Sequence, residues 1–515
     1  MKKVLLPLLF FVSTILIAQD KETIIQNIID EVENNSQVEN LAFELVDFVG
    51  PRLVGTPEMD QAADWAIAKF NSWGITAEKQ NYGTWRGWQR GITHIDMVEP
   101  RVRSLSGMQL AWSAPTPKKG IKAEVITLPQ DVKDSISFEK WLPQVKGKFV
   151  LVSMPQLSGR PEYNWKEFAT EASFAKYKSD AEAQNKAWND NMKKTGYTAR
   201  NIDAALEKAG AVGIIQSHWS RGFGANKIFG ARVKTIPTID VELEDYGLLY
   251  RLAENGKKPM INVHAVSKDL GEQPAFNTIA TIKGVEKPEE YIVLSAHFDS
   301  WDGSGGATDN ATGSVTMMEV ARIIKKLYPN PKRTIIVGLW GGEEQGLNGS
   351  RAYVKDNPQI VDNIHVVFNQ DNGTGRVENI NGQGFLNAYE YWGRWLHDVP
   401  QQFKSDIKTT FPGLPSGGGS DHSSFVAAGA PAFMLSSLSW SYWNYTWHTN
   451  LDTYDKIVFD DVKNNVALIA ILTYLASEDE NKTSRERSVL PINRRTGVQM
   501  EWPSSRDANR RGGMD

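Results

Sequence analysis

The sequence predicts an α/β protein, with a mixed, mostly parallel sheet flanked by helices and a second, β-rich domain inserted into it. Three observations carry this expectation. Apolar runs at 291–300, 333–344 and 365–371 are nearly continuous in Val, Ile and Leu, as suits strands covered on both faces. Each run ends in acidic or imidazole groups, namely His297 and Asp299, Glu343 and Glu344, and Asp371, and open parallel sheets gather their ligands at such carboxyl ends. Between the first two runs lie an acidic loop at 305–310 and a helix whose Val320, Ile323, Ile324 and Leu327 recur at i, i+3, i+4 and i+7.

In chain order, residues 1–18 have a basic start, an apolar core and a small residue at Ala18, which is a secretory leader pattern. The run is shorter than the ~20 residues of a spanning helix, so removal is expected, with the product secreted or periplasmic and not held at a membrane. Residues 19–101 open the main domain with three helices: one marked by Ile24, Ile28 and Val32, one by Leu41, Leu45 and Val49, and one from Glu58 to Trp73 that stops at Gly74. Residues 102–274 turn to short strands at 148–153, 211–216, 236–240 and 261–266. A charged, aromatic helical excursion from Glu162 to Lys208 lies between them, and the whole reads as the inserted domain. The sheet resumes at 275–480, with further strands at 275–283 and 430–437 and a closing helix from Asp460 to Leu475. Residues 481–515 form a polar tail whose last ten residues read as frayed.

Composition narrows the function. Across 515 residues the net charge is −4 and no long Lys/Arg block occurs, which argues against a nucleic-acid partner. There is no cysteine, so neither a disulfide framework nor a thiolate metal site is available.

His297, Asp309, Glu344, Asp371 and His448 supply two imidazoles and three carboxylates, a set suited to zinc or a related divalent ion. Five donors exceed what one open catalytic zinc requires, whereas two ions sharing a carboxylate would use them all and would suit hydrolysis. Glu343 and Glu344 are adjacent beyond a strand end, so one can bind metal while the other takes a water's proton. Asp299 and Asp452 stand at spacings that would let each accept a ring N–H from His297 and His448.

The segments around His297-Phe-Asp-Ser-Trp-Asp302, Gly306-Ala-Thr-Asp309-Asn310, Trp340-Gly-Gly-Glu343-Glu344-Gln-Gly346, Asp371 and His448-Thr-Asn-Leu-Asp452 resemble the co-catalytic di-zinc exopeptidases. That family comprises secreted aminopeptidases and carboxypeptidase Q, and the likeness runs closer to the latter. The resemblance covers most of the chain after the leader and implies the zinc exopeptidase fold, with residues 102–274 as a protease-associated domain. It also implies two zinc ions per chain. His297 and Glu344 would hold one, Asp371 and His448 the other, with Asp309 bridging across a cis Asp309–Asn310 peptide and Glu343 as general base. The expected partner is a peptide or dipeptide, with a homodimer left open.

Where aminopeptidases of this group often carry an oxyanion tyrosine, the stretch here is Ser416-Gly-Gly-Gly-Ser420, so His422 stands as a substitute. Tyr445, in the aromatic run before His448, is a candidate for lining a substrate pocket. The alternatives are a receptor-like binding protein on the same scaffold and a glutaminyl-cyclase-like enzyme with one metal.

Overall fold

The apolar runs are strands, and Lys287–His297, Arg333–Trp340, Ile364–Asn369 and Ala432–Ser437 lie parallel to one another. The computed structural model that shows this describes residues 21–513, so the leader expected at 1–18 lies outside the described residues. Ile292, Val293, Leu294, Ile335, Val337, Val366 and Val367 are fully buried, as strands covered on both faces require.

Strand order fixes where a site can form. From Lys287–His297 the chain steps to Arg333–Trp340 on one side, then crosses back to Ile364–Asn369 on the other. Right-handed crossovers in opposite directions put the helices Thr312–Leu327 and Asn348–Asp356 on opposite faces, leaving a crevice at the carboxyl end of the strand where the order reverses. His297 is the last residue of that strand. Phe459–Glu478 packs on Thr312–Leu327 and is itself covered by Val38–Phe43 and Ala388–Asp398, which explains why it is apolar around most of its circumference. Pro57–Ser72 has Pro57 in its first turn and Thr56 capping the Met59 N–H at 3.2 Å.

Two long strands, Thr76–Glu99 and Met260–Ile282, pair antiparallel along almost their whole length. The first escaped the sequence reading because most of its residues are exposed or half-buried, so no apolar run marks it. The stretches expected at 261–266 and 275–283 are one strand, which pairs with Ile121–Thr127 near its start and with Arg333–Trp340 near its end. A single sheet therefore continues into the second half of the molecule.

There Ile121–Thr127, Phe149–Leu151, Gly213–Gln216 and Thr238–Val241 lie parallel. Phe149, Leu151 and Ile215 face one apolar cluster, while Val150 and Ile214 face another, following the period-2 alternation of a strand. The helix Glu171–Thr195 is mostly exposed and capped by Thr170, and among its residues only Thr195 is buried.

The tail departs from expectation. It is not frayed through residue 513. Trp502 packs edge-on against Phe385 at 5.4 Å, and Arg511–Gly512 adds as a short parallel strand beside Thr84–Trp85. Its polar composition hid this docking, which rests on backbone pairing, on Trp502 and on polar contacts such as Arg510 with Asp356 at 2.6 Å.

Arg52 fastens the N-terminal turn beneath the crevice. Its buried guanidinium donates to the carbonyls of Phe298 at 2.8 Å, Gly305 at 2.7 Å, and Gly50 and Gly306 at 3.0 Å. Arg52→Met preserves bulk but leaves these acceptors bare. The variant should lose at least ~3 kcal/mol, since each buried unsatisfied group costs ~1–3 kcal/mol, and this would be read as a lowered urea midpoint.

Candidate active site

Five predicted donors meet in the crevice. Nε2 of His297 lies 3.0 Å from Oδ1 of Asp371 and 3.2 Å from Oδ1 of Asp309. Nε2 of His448 lies 2.9 Å from Oε2 of Glu344 and 3.4 Å from Oδ2 of Asp309. The ligand atoms of His297, Asp309 and Asp371 fall within 4.8 Å of one another, as do those of Asp309, Glu344 and His448, with Asp309 common to both sets.

The pairing implied by the sequence resemblance is thereby corrected: His297 goes with Asp371, and His448 with Glu344. Sheet order supplies the reason. Ile364–Asn369 runs alongside the His297 strand and carries Asp371 just past its end, whereas Glu344 lies four residues beyond Trp340 on a turn that reaches the His448 loop. Spacing along the chain holds no information about that choice.

The two supporting carboxylates also act differently from expectation. Nδ1 of His297 lies 2.9 Å from the backbone carbonyl of Asp299, while the Asp299 carboxylate accepts the N–H groups of Glu343 at 3.1 Å and Glu344 at 3.3 Å. Asp299 thus fixes the acidic turn. Asp452 does not reach His448, whose buried Nδ1 has no hydrogen-bond partner among the described residues. Its carboxylate accepts Thr308 N–H and O–H, both at 2.8 Å, and Asp309 N–H at 2.9 Å, and so orients Asp309. The Asp309–Asn310 peptide is cis, as the resemblance implied.

With Nδ1 of His297 donating to a carbonyl, the neutral ring turns its Nε2 lone pair toward two carboxylate oxygens. Only a shared proton or a cation makes that contact favourable, and one oxygen each of Asp309 and Glu344 is buried without a hydrogen bond. The donor set therefore fits divalent ions bound by imidazole and carboxylate.

Electrostatics tell the same story. Burial alone would lower His297, yet Asp371 and Asp309 hold its imidazole well above its usual range. Glu343 and Glu344 are pushed well above the ordinary carboxylate range, first by burial and then by neighbouring carboxylates, among them Asp371 and Asp421 for Glu343 and Asp309 for Glu344. Burial pushes Asp421 and Asp452 up to about 7. No described residue hydrogen-bonds the Glu343 carboxylate.

Two sequence candidates stay outside the cluster. His422 opens the helix His422–Ala427, is buried, and has no bond to any of the donors; burial pushes its imidazole down to about 4. Tyr445 sits with its hydroxyl 3.2 Å from that of Tyr163, on the helical excursion. Its neighbour Tyr442 is buried instead and faces Asp309 with its hydroxyl. Asp421, immediately before His422, is a fully buried carboxylate that was not among the sequence candidates. From the second half, Phe229 packs edge-on against His448 at 5.5 Å and Lys227 stacks over Trp447. No sequence signal marked either one, because their role depends on how two distant segments dock.

Residues 277–473 match the model of Peptidase family M28. The chain is 27% identical to carboxypeptidase Q of Homo sapiens and of Bos taurus, in each case over 88% of this chain and 87% of the relative. Its fold is similar to that of a peptidase M28 precursor from Shewanella amazonensis, with TM-score 0.66 and 24% identity, covering 92% of this chain and 100% of the other. It is also similar to a zinc aminopeptidase from Bacillus subtilis, with TM-score 0.54 and 18% identity over 88% and 97% of the two chains. The likeness to zinc exopeptidases and the mixed, mostly parallel α/β sheet expected from the sequence are borne out.

Buried carboxyl groups at Asp421 and Asp452 keep their protons to about pH 7 in the folded chain but release them near pH 4 once unfolded. Between those limits the unfolded state binds fewer protons, so stability falls as pH rises. In EDTA, the urea midpoint should drop from pH 5 to pH 8, and added zinc should reverse most of the loss at pH 8.

Proposed function

We propose that this chain is a secreted or periplasmic two-zinc exopeptidase that removes a terminal residue from peptides or splits dipeptides. The observation that supports this most is the convergence of two donor sets on the shared carboxylate of Asp309, with the unbonded carboxylate of Glu343 beside them. His297 and Asp371 would hold one ion, His448 and Glu344 the other, and Asp309 both. Residues 102–274 would be the inserted protease-associated domain, contributing Lys227 and Phe229 to the rim.

Bound there, zinc would polarise the scissile carbonyl and lower the pKa of an attacking water toward ~7. The remaining work belongs to the chain. Glu343, held above the carboxylate range by burial and by Asp371, Asp421 and Glu344, takes the water's proton and passes it to the leaving amine. Asp299 holds the Glu343–Glu344 turn through two backbone N–H groups, so that acid and ligand keep their separate directions. Asp452 aligns Asp309 from behind through its own N–H and through Thr308.

Elemental analysis should return two zinc ions per chain, and Glu343→Gln should keep both while lowering turnover by ~10²–10⁴-fold on unblocked peptides. Unchanged turnover would remove Glu343 as base. One zinc per chain would favour the cyclase-like alternative, and two bound zincs without peptide hydrolysis would favour a receptor.

A further inference from the structure

The second half of the molecule delivers a lysine to the rim of the cluster. Backbone bonds lock the segment in place: Ile228 N–H donates to the His448 carbonyl at 2.7 Å, Asn450 N–H to the Asn226 carbonyl at 3.0 Å, and Lys227 bridges antiparallel to Thr449. The Lys227 ammonium sits 3.6 Å from the centre of the Trp447 ring, and that ring stacks on His448 at 4.0 Å. Lys227 is half-buried, and among the described residues it makes no ion pair and its ammonium no hydrogen bond. The carboxylate its charge reaches is Asp309, which is already shared between the two histidines.

Other cations near the cluster are differently placed. Arg52 is spent on four carbonyls beneath the site, and Arg90 is paired with Asp302 at 2.7 Å. Arg351 is influenced by the charges of Asp421 and Glu343. Lys227 is thus a preorganised cation, held over an aromatic ring that itself stacks on His448, with no paired counter-charge among the described residues. A half-buried ammonium in that position is stabilised by an incoming anion.

We propose that Lys227 binds the free carboxylate of the substrate, so that the enzyme selects dipeptides and other substrates with a carboxylate one residue beyond the cleaved bond. This deepens the exopeptidase reading and rests on it. In a dipeptide the terminal carboxylate lies only one residue, ~3.5 Å of chain, past the scissile carbonyl. Its cation must therefore come from the border of the cluster, where Lys227 stands. The aromatic surface of Trp447 and Phe229 beside it would shield the pair from water. The same ammonium could take an acidic side chain at that position, a second source of the same chemistry.

The test compares Ala-Leu, its amide Ala-Leu-NH2, and Ala-Asp-NH2 on the zinc-loaded full chain. Wild type should hydrolyse Ala-Leu with kcat/KM at least 10-fold above Ala-Leu-NH2, and the difference should lie mainly in KM. Lys227→Met should shrink that ratio at least 5-fold by raising KM for Ala-Leu, and Lys227→Arg should restore most of it. Free leucine should inhibit wild type more strongly than leucinamide, a readout that needs no variant. Preference for Ala-Asp-NH2 over Ala-Leu-NH2, with none for Ala-Leu, would assign the cation to an acidic side chain and overturn the terminal-carboxylate assignment. Equal hydrolysis of the free and amidated peptides, equal losses on both in Lys227→Met, or loss of discrimination in Arg351→Met instead would overturn it while leaving the peptidase reading intact. Hydrolysis of none of the three would overturn that reading and this one together.

Discussion

Crowding of buried negative charge governs this molecule. Asp299, Asp309, Glu343, Glu344, Asp371, Asp421 and Asp452 gather at the carboxyl ends of neighbouring strands, most of them out of contact with water. Mutual repulsion and desolvation at such separations would be prohibitive if left uncompensated. Compensation comes in layers. Backbone N–H groups of Thr308, Asp309, Glu343 and Glu344 engage Asp299 and Asp452. The Arg52 guanidinium lies below, its charge opposed to Asp452, Asp299, Asp309 and Glu344. What these do not neutralise is the face shared by His297, His448 and Asp309, which is where cations fit.

That arrangement explains a division of labour among chemically similar acids. Asp299 and Asp452 are saturated by donors from the chain and behave as fixed struts. Asp309 and Glu344 each keep an oxygen free of any donor. Among the described residues none hydrogen-bonds the Glu343 carboxylate, which sets it apart from the two struts. Identity of residue type therefore says little about role here; the number of donors each oxygen receives says most of it.

Much of this was legible in the chain. Strands that are buried on both faces announce themselves as unbroken apolar runs, and the polar residues at their ends mark the crevice, so His297, Glu344 and Asp371 could be read together. Asp309 and His448 followed from their residue type and surroundings. The partner choice between Glu344 and Asp371 was not legible, because it depends on which neighbour lies on which side of the His297 strand. Asp452 was read as a support for His448 from its four-residue spacing, yet the loop turns it toward Asp309. The strand Thr76–Glu99 was invisible for a different reason: both of its faces are partly wet, so periodicity has nothing to register. Lys227 depends on tertiary docking alone.

The paired strands Thr76–Glu99 and Met260–Ile282 carry one more consequence. The earlier strand leaves a growing polypeptide long before its mate exists, and everything between them must emerge first. Contacts so far apart in sequence are costly to close and slow to form. During synthesis the N-terminal helices therefore wait, half-assembled, while the intervening segment emerges, and one of its apolar clusters is completed only by Ile261, Val263 and Ala265 of the later strand. Only after the later strand arrives can the two ends of the main sheet be stitched, so the order of biosynthesis makes the intervening segment a prerequisite for completing the catalytic layer.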